Sequence, residues 1–427
     1  MKKFFLSIST LVTLTIFGGL VFIIVSKPAG PASNAAAPAV SAGSVPASAP
    51  AQAPLFSFDP AAISYEVSHP NYEWIDISAS SDEQIIAKDF EDNVGSAAID
   101  IGFYFPFFKN IYSQVRLSDN GYVYFDGDET TGRNTPQTVP TDVDLVHNLI
   151  APFGADLFRN PGDSIVYIAR QSEPERRLVV QFKNAYWCCN LENPNNFQVI
   201  LYPDGRILTQ YESIQNEHPP HAYLAVGIEN EDGSQGHHFF TGFLDETDIL
   251  HNQLAILYDP DETLLGRLLF IPETDEVQGA PGQTVTFKTN LLNLSGVDSN
   301  FTITQTLQIN GVEAPLQPVD SEEPKETGDS DEPDNVNGTD GADETSETGD
   351  AGEAASTWRM NILAEPGQVN HTYAKPLTVE IIIPETAAAG DTAVITFRAS
   401  PEAITDLEAN ATFTIEITAG NPGQTDE

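Results

Sequence analysis

The strongest constraint on this fold is a pattern of punctuation. Between residues 99 and 259, short runs of alternating apolar and polar side chains are broken by turn-forming pairs at a spacing of about ten residues. IDIGFYFPFF, VRLSDNGYVYF, RRLVVQFKNAYW, NFQVILY, RILTQYESI and AYLAVGIEN are among them. These runs are too short for amphipathic helices, and their Val, Ile, Thr, Phe and Tyr content suits pleated strands. Asn120-Gly121, Asp204-Gly205 and Asp232-Gly233 place residues tolerant of the left-handed region between them. In NFQVILYPDGRILTQY, Phe197, Val199 and Leu201 share one face and the chain reverses at PDG, which predicts a hairpin. The expectation is an all-β chain whose first folded region, residues 61–262, is an antiparallel β-sandwich.

A second set of strand-like runs predicts another antiparallel sandwich over residues 268–418. GAPGQTVTFKTNLLNLSG opens it, and KPLTVEIIIP, DTAVITFRAS and ATFTIEITA close it. Residues 317–356 interrupt it without any apolar period. Fourteen carboxylates between Asp320 and Glu353 face only Lys325, a composition that cannot bury a core, so the insertion reads as disordered. Residues 419–427 read as a tail.

At the other end, Lys2 and Lys3 precede an uncharged apolar run from Phe4 to Val25, long enough to span a bilayer as a helix. The flanking positive charge directs everything after Ser26 outward. Residues 1–26 therefore read as a signal peptide or a retained anchor, and both imply an extracytoplasmic protein. Contact with the membrane is expected only through residues 4–25, if that segment is retained. The Ala/Pro/Ser-rich stretch 27–60 reads as a disordered stalk. A formal charge of −43, from 62 acidic against 19 basic residues, argues against a nucleic-acid partner.

Several residues invite chemistry. Asp126, Asp128 and Glu129 in FDGDETTG form a candidate calcium site, although the spacing lacks the EF-hand layout. The alternative is a hydrated hairpin end. Strict alternation along LVVQFKNAYWCC puts Leu178, Val180, Phe182, Tyr186 and Cys188 on one face. Trp187 then faces outward as a candidate sugar-stacking residue, with Trp74 a weaker one and Trp358 assigned to a core. Cys188 and Cys189 are adjacent, so they make no disulfide framework. Gly162-Asp163-Ser164 resembles the nucleophile block of GDS-type esterases, with Asp248 and His251 as conceivable partners, but a nucleophile of that kind follows a strand and opens a helix. Here the triplet starts a strand. Histidines 218, 221, 237 and 238 lack any spacing that fixes a metal site. No catalytic residue and no cofactor other than calcium is assigned.

The segments IGFYFPFF, KNIYSQVRLSDNGYVYFDG, NLIAPFGADLF, LVVQFKN, NFQVILYPDGRILTQY and LAVGIENEDGSQG, in this order over residues 95–258, resemble the nidogen-like (NIDO) extracellular domain and its bacterial surface relatives. Gly154 departs from the aromatic usual there, which implies looser packing or a shallow hollow. The second region is similar to the Ig-like family appended to secreted bacterial glycosidases, through PGQTVTFKTNLLNLSG, WRMNI and VEIIIPETAAAGDTAVITFRAS. Both resemblances imply non-catalytic modules. The expected function is adhesion or protein–protein interaction by an exported, non-enzymatic surface protein. The alternative is a carbohydrate-binding accessory protein of a secreted glycosidase system, and a GDS-type esterase is the remote one. The expected partner is an extracellular protein or glycan.

Overall fold

The computed structural model describes residues 64–319 and 356–419, with breaks at 79–82, 88–94, 129, 159–162, 173–174, 189–191, 216–222, 244–248 and 262–265, together with 12–17, 20–25 and 56–57. Residues 27–55, 320–355 and 420–427, read as stalk, insertion and tail, lie outside this set. The chain forms two compact units, Met1–Ser48 and Ala49–Glu427.

In the first unit, β1 (Val12–Phe17) pairs antiparallel with β2 (Leu20–Val25). This corrects the expected apolar helix. Both segments are dominated by β-branched and aromatic residues, and in the sequence Gly18-Gly19 stands between them, which is a hairpin signal. Among the described residues, no helix is long and apolar enough to cross a membrane.

The second unit is all-β, as expected. Its first sandwich contains β3 (Phe56–Ser57), β4 (Tyr65–Ser68), β5 (Glu83–Ala87), β6 (Ile99–Phe107), β7 (Asn110–Ser118), β8 (Tyr122–Tyr124) and β9 (Leu149–Ala155). It continues through β10 (Leu157–Phe158), β11 (Ile165–Gln171), β12 (Arg177–Trp187), β13 (Asn195–Leu201), β14 (Ile207–Ser213), β15 (Leu224–Glu229), β16 (Gly236–Gly242) and β17 (Leu254–Pro260). One sheet has the order β4-β17-β14-β13-β12-β11-β5, with β10 also on β12. The other runs β16-β15-β9-β8-β7-β3, with β6 also on β7. All three turn pairs read from the sequence sit at reversals, with Gly121, Gly205 and Gly233 at φ of 78°, 89° and 68°.

Between the sheets lies an aromatic core in which Phe182 stacks on Phe197 at 4.8 Å and Phe153 lies 5.2 Å from both Phe197 and Trp187. The outer faces are covered as well. Residues 71–78 cross the first sheet, where Ile77 packs on Ala169, Val179 and Ile200. Buried Gln181 and Gln210 side chains accept the Ile77 and Glu73 amides at 3.3 and 3.1 Å, so the crossing segment's polar backbone is satisfied. Two-sided burial explains why β9, Leu149–Ala155, carries no polar side chain and is buried at every position.

The second sandwich contains β18 (Arg267–Pro272), β19 (Glu276–Gly279), β20 (Thr284–Leu294), β21 (Ser299–Ile309), β22 (Val312–Ala314) and β23 (Leu316–Pro318). After the acidic segment come β24 (Trp358–Ala364), β25 (Gln368–Val369), β26 (Ala374–Ile382), β27 (Thr392–Pro401) and β28 (Ala409–Ile417). The sheets are β18-β20-β26-β24-β23 and β19-β28-β27-β21-β22, with two parallel pairs, β19 with β28 and β23 with β24. Trp358 fills this core, as read from the sequence. Strand β18 joins the two bodies. Its Leu268 and Phe270 enter the second core, while Leu269 and Ile271 pack with the first. This edge strand, buried on both faces, contributes to both cores.

Candidate functional site

The long connection from Phe125 to Asn148, between β8 and β9, is the most elaborate loop of the first sandwich, and loops of this length are commonly functional. It lies on the outer face of the second sheet. Val139 and Val146 pack there with Tyr122, Tyr124, Leu149, Ala151 and Ala225. Close approach of the loop is possible because the sheet beneath it is rich in glycine. A Cβ on Gly154 would lie 2.6 Å from the Pro136 ring, one on Gly227 3.2 Å from Val139, one on Gly236 2.9 Å from Pro140 and one on Gly233 1.8 Å from the Thr141 carbonyl oxygen. The hollow expected at Gly154 is thus filled by Pro136.

Hydrogen bonds complete the bracing. Tyr122 donates its hydroxyl to the carbonyls of Thr131 (3.2 Å) and Asn134 (2.9 Å). Asp144 turns inward, and its Oδ2 accepts the Gln137 amide at 2.8 Å and the Thr138 amide at 3.3 Å. Asn148 closes the base with φ of 56°, donating its amide to Asn230 O at 2.9 Å. Under the loop, Glu229 at the end of β15 is fully buried, accepts the Thr141 amide on Oε2 at 3.1 Å and meets His147 Nδ1 at 3.0 Å. Burial is the main cause that pushes the Glu229 carboxyl up to about 8, with Asp144 adding to it.

Because Asp144 points in, its neighbours point out. Val143 is 80% and Leu145 82% exposed, the most exposed large aliphatic side chains among the described residues. Neither they nor Glu229 were singled out from the sequence. The available signal was the DVDL step, two aliphatics flanking an Asp in a proline-bounded stretch.

The residues that were singled out fall elsewhere. Asp128 Oδ1 accepts the amides of Thr130 (2.8 Å) and Thr131 (3.2 Å) and the Thr130 hydroxyl (2.5 Å), bracing the chain just ahead of the short 3₁₀ turn Thr131–Arg133. Those bonds hold its pKa below the usual value. Asp126 belongs to the loop base instead, where burial pushes its carboxyl up to about 6 against the opposing influence of Asn148 and His147. Glu129 lies outside the described residues. Among those described, no three His, Cys, Asp or Glu side chains are grouped to hold a metal. Added millimolar calcium tests the acidic loop: the melting temperature stays unchanged if its carboxylates only brace the hairpin end, and a clear rise marks a calcium site.

Trp187 is a correction. It is 2% exposed and lies in the core, so it offers no stacking face. The alternation fails because β12 carries a bulge between Phe182 and Ala185, with Asn184 at φ of 54°. One extra residue reverses every later side chain. Ala185 and Trp187 turn inward, Tyr186 turns outward, and Cys188 is half-buried instead of in the core. Cys189 lies outside the described residues.

Residues of the esterase-like triplet clamp this bulge. Ser164 Oγ donates to Asn184 O at 2.5 Å. Asp163 accepts Asn184 Nδ2 at 2.9 Å and the Tyr186 hydroxyl at 2.5 Å. His251 precedes β17, which is separated from β11, the strand that Ser164 precedes, by β14, β13 and β12. Four strand spacings amount to roughly 19 Å. Gly162, Asp248, His218 and His221 lie outside the described residues, while His237 and His238 are on edge strand β16. Trp74 is half-buried and stacks with Tyr72 at 6.4 Å.

These features define a class, an antiparallel sandwich that carries a fixed loop on the outer face of one sheet. Residues 64–243 match the family model described as NIDO related, so this part of the chain is similar to that family. No curated protein sequence matches. Among solved structures, the ASH/PapD-like domain of human CEP192 (PapD-like domain 7) aligns at 11% identity and a TM-score of 0.19, over 36% of this chain and 89% of that one. The N-terminal domain of the Streptococcus gordonii adhesin Sgo0707 aligns at 9% identity and a TM-score of 0.16, over 82% and 92%. At such scores neither likeness bears on fold or function.

Proposed function

We propose that this chain is an exported, non-enzymatic surface protein whose first sandwich docks a partner protein through Val143 and Leu145. The carrying observation is the exposure of both side chains on a loop whose backbone is fixed by glycine contacts and buried hydrogen bonds. Isolated exposed aliphatics are ordinary. A preordered pair loses little freedom on binding and suits the centre of an interface. The partner surface is an apolar hollow rimmed by Lys and Arg, since Asp142 beside the tip is exposed and the chain carries a formal charge of −43. The NIDO-related match supports a surface or interaction role. The apolar run 4–25 behind two lysines supports export, with the following Ala/Pro/Ser stretch acting as a spacer.

The test displays the full chain on cells and compares it with the Val143→Asp, Leu145→Asp double variant. Wild-type cells should bind a surface coated with envelope proteins of the producing organism at least tenfold above undisplayed cells. The variant should fall to background with its melting temperature intact. Equal retention of variant and wild type would remove the tip from the function.

A further inference from the structure

We propose that the cleft between the two sandwiches is a binding site for a small sugar acid. The cleft has a volume of about 410 Å³. That lies at the small end of the range for small-molecule sites, about 300–1,000 Å³, and suits a mono- or disaccharide.

Three turns build it, and each brings a distinct group. Arg176, ahead of β12, reaches across the domain junction and donates to Thr372 O at 2.5 Å and Thr372 Oγ1 at 3.2 Å. Its guanidinium carbon lies 3.8 Å from the centre of the Tyr373 ring, which fixes that wall. Facing it, the β13–β14 turn carries Arg206, whose guanidinium stacks 4.7 Å over Tyr202 and whose Nε donates to Asp204 Oδ2 at 2.8 Å. The terminal nitrogens of Arg206 make no hydrogen bond among the described residues, so a preoriented pair of donors is available. His371 also lines the cleft. Its Nδ1 accepts the Gly296 amide at 3.1 Å, so Nε2 carries the proton and donates.

The ligand class follows from this chemistry. Arg176, Arg206 and His371 share the cleft with Glu175 and Asp204, so its formal charge is balanced and an acidic ligand is selected by the two terminal nitrogens of Arg206. Arginine suits a carboxylate through two parallel bonds. Asp204 beside it supplies the acceptor that a hydroxyl-bearing ligand also needs, whereas a bare anion would be repelled by it. Both tyrosine rings have one face covered by a guanidinium. Recognition therefore runs through charge and hydrogen bonds more than through sugar stacking, which favours an acidic over a neutral sugar.

The test is calorimetric titration of the full chain with glucuronic and galacturonic acids. Glucose and galactose serve as uncharged counterparts, and a short peptide ending in glutamate as a carboxylate without a sugar ring. A uronic acid should bind at least tenfold more tightly than its neutral counterpart and than the peptide. Arg206→Ala should lose at least tenfold, and Arg206→Lys should recover only part, with melting temperatures unchanged because the Arg206 side chain is 42% exposed. The Val143→Asp, Leu145→Asp variant should bind uronic acids normally, which separates this site from the docking tip. Absence of binding by both uronic acids, equal binding of the neutral sugars or the peptide, or an Arg206→Ala variant indistinguishable from wild type would each overturn the proposal.

Discussion

Trp187→Ala is expected to destabilise the first sandwich by about 3–5 kcal/mol, the usual cost of emptying a buried aromatic site. In a domain of this size that corresponds to a fall in melting temperature of roughly 10 °C. The ring packs against Phe153 at 5.2 Å between the two sheets, and Phe153 in turn contacts Phe197, so the cavity would open at the centre of the aromatic cluster. Thermal or urea unfolding followed by intrinsic fluorescence checks it. A variant that melts like wild type would mean that the ring is outside the core and that the bulge at Asn184 does not reverse the strand. Ser164→Ala should act in the same direction but more weakly, because it removes one bond from the clamp on that bulge and leaves the packing in place.

Glu229 yields the second large effect, and it depends on pH. Its folded pKa, about 8, lies above the unfolded value of about 4.3. The folded state therefore holds an extra proton between these limits, and stability falls as pH rises through that window. From pH 6.5 to 9 the loss is of order 2 kcal/mol. Other shifted groups act elsewhere. Asp126, raised to about 6, adds a slope of the same sign at lower pH, and Asp76, Asp128 and Asp232, all lowered, act in the acid range with the opposite sign. Glu229→Gln should flatten the melting temperature between pH 6.5 and 9, since the amide oxygen still accepts from Thr141 and the amide nitrogen can donate to His147. An unaltered slope in that variant would place the titration on another group.

What the sequence made legible was local. The three Asn-Gly and Asp-Gly pairs mark reversals by their own stereochemistry, so the sandwich and its hairpins follow without tertiary information. Trp187 was misplaced because one left-handed residue inside a strand inverts everything beyond it, and Asn184 looks unremarkable until its neighbours Asp163 and Ser164 are seen to clamp it. Glu229 was missed because an acid ending a strand reads as solvent-facing unless the loop that buries it is known. The two-sided burial of β18 likewise depends on a neighbour supplied by the rest of the chain. At the N-terminus the overall hydropathy pointed to a helix, while the β-branched side chains and the glycine pair carried the signal for a hairpin.

The glycine floor under the β8–β9 loop has an evolutionary consequence. It grips the backbone through Pro136, Val139, Pro140 and Thr141, and places no steric demand on the identities of residues 143 and 145. Those two positions can drift to new chemistries while the framework keeps its shape.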